Sequence, residues 1–110
     1  MKPLKLDTPL VLEERQDVAD GAGGFVKDWI AKGTLWACLD ARGGREVRLG
    51  DTTVSKAVFR ITVRAAPVGA PSRPKADQRF RSGSRMFRIL AVADEGLRYL
   101  TCFAEEEVAS

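Results

Sequence analysis

The run from Arg79 to Val92, with its continuation to Phe103, constrains the fold more than any other part of the chain, because its alternation and its breaks spell strand, tight turn, strand, turn, strand. Phe87 and Ile89 sit two apart and so share one sheet face, while Arg88 between them points to the other. Ser82-Gly83-Ser84 forms the first turn, where Gly83 takes a positive φ without steric cost. After Ile89 the alternation slips, since Leu90, Ala91, Val92 and Ala93 are all apolar; this implies a bulge or a strand covered on both faces. Asp94-Glu95-Gly96 turns the chain again, and Leu97–Phe103 returns as the partner strand. Such a meander cannot bury its apolar face alone, so other strands must supply the opposite wall.

Those strands are legible elsewhere. In Ala57–Arg64, Phe59, Ile61 and Val63 face inward while Arg60, Thr62 and Arg64 face outward. Leu35–Asp40 is a strand with apolar residues on both faces, and Leu10–Gln16 is a plausible first strand. Asp17 to Gly24 reads as a turn region because Asp20-Gly21 and Gly23-Gly24 break structure. Phe25–Ile30 is too short to assign by period and fits either a strand or one helical turn. Arg42–Lys56 has only Val47, Leu49 and Val54 as apolar anchors, and reads as a long polar loop holding at most a short helix or an irregular strand. Pro67, Pro71 and Pro74 exclude a helix from Ala65–Gln78 and make it a loop or extended edge.

The expected fold is therefore all-β: a small β-barrel or sandwich of about five to seven short strands with one long polar loop and little helix. Residues 1–9 form an N-terminal arm, residues 10–104 a single β-barrel domain with loops at 42–56 and 65–78, and residues 105–110 a frayed acidic tail. The expected core contains Phe59, Ile61, Val63, Phe87, Ile89 and Val92, with Phe80, Tyr99, Phe103 and Trp36. Trp29 suits either packing or a subunit contact, where tryptophan is enriched. Apolar residues on both faces of Leu35–Leu39 and Leu97–Phe103 exceed what one core of this size uses, and the surplus suggests contacts between subunits.

Composition removes several function classes. The chain has no histidine and only two cysteines, so Ser–His and Cys–His catalysis and closed zinc sites are excluded. Gly21-Ala22-Gly23-Gly24 matches neither a dinucleotide fingerprint nor a P-loop, and Glu13-Glu14 has no nucleophile beside it. No enzyme, metal or cofactor is expected. Cys38 and Cys102 fall inside strands and read as reduced core residues. No apolar run approaches the roughly 20 residues of a membrane-spanning helix, and no signal-peptide pattern opens the sequence, which suggests assembly in the cytoplasm without a membrane partner. A net charge of +3 is only mildly basic. Arg42, Arg45 and Arg48 nonetheless recur at a spacing of three, and Arg73, Lys75, Arg79, Arg81, Arg85 and Arg88 crowd a second stretch. These suit a surface meeting phosphates or acidic protein, or simply the solubilising charge that outward strand positions need.

Taken in order, the landmarks resemble the head–tail joining (head-closure or stopper) proteins of tailed bacteriophages, which also occur in prophages and gene transfer agents. They are a first strand, Asp20-Gly21-Ala22-Gly23-Gly24, Trp29, the Trp36-Ala37 strand, Gly44-Arg45-Glu46, the Phe59–Arg64 strand, Arg79-Phe80, Phe87-Arg88-Ile89 and a closing strand. The resemblance spans residues 10–107 and implies a small β-barrel assembled as a ring of six or twelve copies in the particle neck. Such a ring closes the DNA channel after packaging. Its implied partners are a portal or adaptor protein above, a tail terminator or tail tube protein below, and packaged double-stranded DNA bound without sequence preference. In the family the excursion after the tryptophan-bearing strand projects toward the channel, which here places Arg42, Arg45, Glu46, Arg48 and Lys56 near the DNA. Trp29, Arg79, Arg81 and Arg85 are the candidate contacts to subunits or partners. The proline-rich Ala65–Gln78 departs from the family pattern. A rival reading is a free nucleic-acid-binding barrel of OB or SH3-like type.

Overall fold

The computed structural model describes residues 4–108. Six antiparallel strands run β1 (Thr8–Ala19), β2 (Phe25–Leu49), β3 (Thr52–Arg64), β4 (Arg79–Ser82), β5 (Arg85–Glu95) and β6 (Tyr99–Val108). They are hydrogen-bonded in the order β1-β2-β3-β6-β5-β4, and β4 pairs back onto β1 to close a barrel. No helix occurs among the described residues.

β2 is far longer than the short strands expected, because it does two jobs. Its first half pairs with β1 from Phe25 to Ala37, and its second half pairs with β3 from Ala37 to Leu49. One circuit of hydrogen-bonded partners, Ala31–Glu13–Arg79–Arg88–Glu105–Val58–Gly43, therefore returns to β2 well beyond its starting point. This stagger is what strand tilt in a closed barrel requires. It also leaves two overhangs projecting from opposite ends of β2: a β1–β2 arm beyond Glu13 and Ala31, and a β2–β3 ribbon beyond Ala41 and Phe59.

Two bulges bend β2 into these overhangs. Lys32 and Arg42 are each an extra residue with no partner of their own, next to Gly33 at φ 140° and Gly43 at φ 135°. Those backbone conformations favour glycine, which explains why each bulge carries one. The third bulge is Leu90 on β5, where the apolar run breaks alternation in the sequence.

Several expectations are corrected. Arg42–Lys56 is a paired ribbon rather than a loop: Arg45, Val47 and Leu49 face the same way as Lys56, Val54 and Thr52, so the two strands zip to the turn at Gly50-Asp51. Phe25–Ile30 is strand, and β1 continues through Asp17 and Val18 into the region read as a turn. The arm read as residues 1–9 includes the start of β1, and residues 1–3 lie outside the described ones. The acidic segment 105–108 is not frayed but pairs with β3 as the end of β6; residues 109–110 lie outside the described ones. Ala65–Gln78 is irregular, and its Pro74 is fully buried.

The core is Leu10, Leu12, Ala37, Phe59, Ile61, Val63, Phe80, Phe87, Ile89, Leu100, Cys102 and Ala104, with Val92 half-buried against it. Phe59 and Phe87 meet edge to face at 5.1 Å. Burial pushes the Cys102 thiol up to about 12, which suits a reduced core residue. Trp36 was expected here and is instead 57% exposed. Pairing of Ala37 with Val63 and of Leu39 with Ile61 turns Leu35, Ala37 and Leu39 inward and Trp36 outward with Cys38, and the narrow interior of a six-stranded barrel is already filled by phenylalanines. Phe103 likewise lies outward and partly exposed, under the guanidinium of Arg60 at 5.7 Å. Tyr99 is half-buried.

Candidate functional site

Alternation places the long polar residues of β4, β5 and β6 on the barrel's outer face, between the arm and the ribbon. There they line a depression of about 610 Å³ bounded by Trp29 and Arg15 on the arm side and Lys56 on the ribbon side, with Arg79, Arg88 and Glu105 between. Most charges in it are already matched. The Glu13 carboxylate, nearly buried on this face, accepts from Arg79 Nε at 2.7 Å and Arg81 Nε at 2.9 Å. Burial pushes its carboxyl up, but hydrogen bonds and positive charge from Arg81 and Arg79 outweigh that and hold it below the ordinary carboxylate value. The Arg79 guanidinium also stacks over Trp29 at 4.1 Å, so arm and barrel wall are joined by one residue.

At the neighbouring barrel mouth, Arg85 grips Glu106 with two hydrogen bonds of 2.7 and 2.9 Å and lies 4.9 Å from the Phe87 ring. The bond to Glu106 raises the Arg85 pKa further. Trp29, Arg79, Arg81 and Arg85 thus lie close to strand partners within the chain, each holding part of the barrel together.

The ribbon is organised differently. Arg45 Nη2 reaches Glu105 at 2.6 Å, and Lys56 Nζ lies 3.7 Å from the same carboxylate, which ties the ribbon's base to β6. Arg42 pairs with Asp40 at 3.1 Å. Spacing of three does not make one stripe on a strand: Arg45 shares a face with Val47 and Leu49, whereas Arg48 shares the other with Glu46. Among the described residues Arg48 has no ion-pair partner, and it lies nearest the ribbon's tip.

At the opposite overhang, Asp20 caps the arm's turn by accepting from the amides of Ala22 at 2.8 Å and Gly24 at 3.1 Å, bonds that hold its carboxyl below the ordinary value. Glu13, Glu105 and Glu106 organise these clusters, whereas the sequence alone reads Glu13 as a carboxylate without a nucleophile and the other two as part of a frayed tail. Their signal is opposite charge at facing strand positions for Glu13 with Arg79 and Glu105 with Arg88, and at a diagonal position for Glu106 with Arg85, and it is visible only once the register is known.

Among the described residues no group of three or more His, Cys, Asp or Glu is placed to hold a metal ion. The model of the phage head completion protein family matches residues 1–107. The chain belongs to that family. A similar fold is seen in a solved chain from the virion of a native gene transfer agent particle, 53% identical, with a TM-score of 0.84. The match covers 99% of this chain and 100% of that one. No curated protein matches the sequence.

Proposed function

We propose that this head completion protein is a structural, non-catalytic component of the neck of a tailed phage or gene-transfer-agent particle. It assembles there as a closed ring below the portal or adaptor, closes the DNA channel and offers a docking surface to the tail. The observation that carries the reading is the β2–β3 ribbon. A barrel needs no such overhang for its own stability, yet this one projects a basic two-stranded ribbon and fixes its base through Arg45, Glu105 and Lys56. A stiff projection with its one unmatched arginine near the tip suits a channel-facing element. Contact with packaged DNA there would be to phosphates, independent of sequence and weakened by salt. The 53% identity to a chain of a gene-transfer-agent virion supports placing the protein in such a particle.

Arg42→Ser and Arg48→Ser together leave the barrel folded, because neither side chain enters the core. Particles carrying both substitutions are expected to leak DNA from filled heads or to fail in joining tails. Parental DNA retention and transfer would remove the gating role from the ribbon.

A further inference from the structure

The outer face of β2, β3 and β6 carries the apolar surplus that the core does not use. Trp36, 57% exposed, and Phe103 stand on it beside Arg60 and Arg64, with Arg98 at its edge. Beneath them Thr62 and Thr101 are buried although they point outward, so the larger side chains already roof a shallow platform. None of the three arginines has an ion-pair partner among the described residues. Asp40, cross-strand from Arg60, is paired with Arg42 instead, and Glu95 accepts from the Thr101 hydroxyl. Aromatic and arginine side chains with few lysines or acids are the composition of a protein-binding hot spot. A DNA duplex would use the cations but offers no free base faces to the rings.

The same chain carries the complement. The tip of the β1–β2 arm exposes Val18, Val26 and Phe25, the last 73% exposed. Asp17 is balanced by Lys27 at 2.6 Å on the face that Phe25 shares with Arg15 and Trp29, whereas Val18 and Val26 share the other face with Asp28, which has no ion-pair partner among the described residues; Asp20 adds negative charge at the turn. Asp20 stays a carboxylate because two turn amides hold it in that form. The six residue pairs beyond the bulge give the arm a reach of roughly 20 Å.

We propose that the arm tip of one copy docks on the Trp36–Phe103 platform of the next through the face that carries Val18, Val26 and Asp28, setting the two valines against Trp36 and the Asp28 carboxylate, with Asp20 at the turn, against Arg60 and Arg64. Donor and acceptor surfaces are different parts of the molecule, so the contact is head-to-tail and propagates, closing where the rotation per copy allows. This rests on the ring reading above and specifies which surfaces make the ring, leaving the ribbon at the other end of β2 free for the axis.

The test is made in assembled particles. Val26→Ser with Asp28→Lys on the arm, or Arg60→Glu with Arg64→Glu on the platform, should each lower the amount of this chain per particle at least tenfold without changing its melting temperature. Asp28→Lys combined with Arg64→Glu should recover several-fold more than either substitution alone. In a Cys38→Ser background, Val26→Cys with Trp36→Cys should give a ladder of disulfide-linked multimers on oxidation. Parental particles imaged with a ring whose arms lie elsewhere, or with the platform covered by a different protein, would overturn this contact while leaving the ring intact. Absence of any ring would overturn both. Binding of duplex DNA to the isolated protein that is lost with Arg60→Glu and Arg64→Glu would reassign the platform to nucleic acid.

Discussion

A glutamate on the outside of a barrel is rarely buried, and Glu13 is so only because Arg79 and Arg81 close over it. Removing it leaves two guanidiniums facing one another, so Glu13→Gln is expected to cost about 1–3 kcal/mol at neutral pH. The carboxyl's pKa is depressed in the folded state, so its stabilisation is fully present above the ordinary 4.5 and fades as pH falls through the folded value. Urea unfolding of parent and Glu13→Gln should therefore differ at pH 7 and converge as the pH is taken progressively below 4.5; a constant gap would mean the carboxylate's charge is not what stabilises. Phe87 makes a plainer case. Fully buried and edge-on to Phe59, it should lose about 3–5 kcal/mol as Phe87→Ala, checked by the same unfolding curves. Phe87 was legible because it and Ile89 flank the charged Arg88, which marks their phase of that stretch as the inward one. Trp36 was not, because both phases of Leu35–Leu39 are apolar and only the register with β1 and β3 decides which turns inward.

At the level of elements, β2 explains most of what the sequence concealed. The Leu90 bulge shows as an apolar run out of step, but the bulges at Lys32 and Arg42 sit in polar, glycine-containing stretches that look like loops. The ribbon hid for the same reason: Val47, Leu49 and Val54 are too few to mark two strands until they are seen to share one face. Gly43 is the hinge of that ribbon. Its φ of 135° suits glycine alone, so Gly43→Ala is expected to destabilise by about 1 kcal/mol or more. Hydrogen exchange should rise first in residues 44–56, with β5 and β6 still protected. Uniform loss of protection across the barrel would mean that the ribbon is no separate unit.

For the whole molecule, closure of the sheet through β4 joins β1 to β5, and the two overhangs project at opposite ends of one strand, β2. Such an object is suited to a ring: an acidic, apolar arm to reach a neighbour, a platform to receive one, and a basic ribbon left over. The barrel itself was readable from alternation and turns. The overhangs were not, because their existence depends on how far β2 slides between its two partners. Imaging the neck of purified particles at side-chain resolution is the most direct test. The account predicts a closed ring of this chain with the β2–β3 ribbons converging on the axis and Arg48 nearest the DNA path. Finding the chain outside the neck, or in a ring whose ribbons point away from the axis, would contradict it.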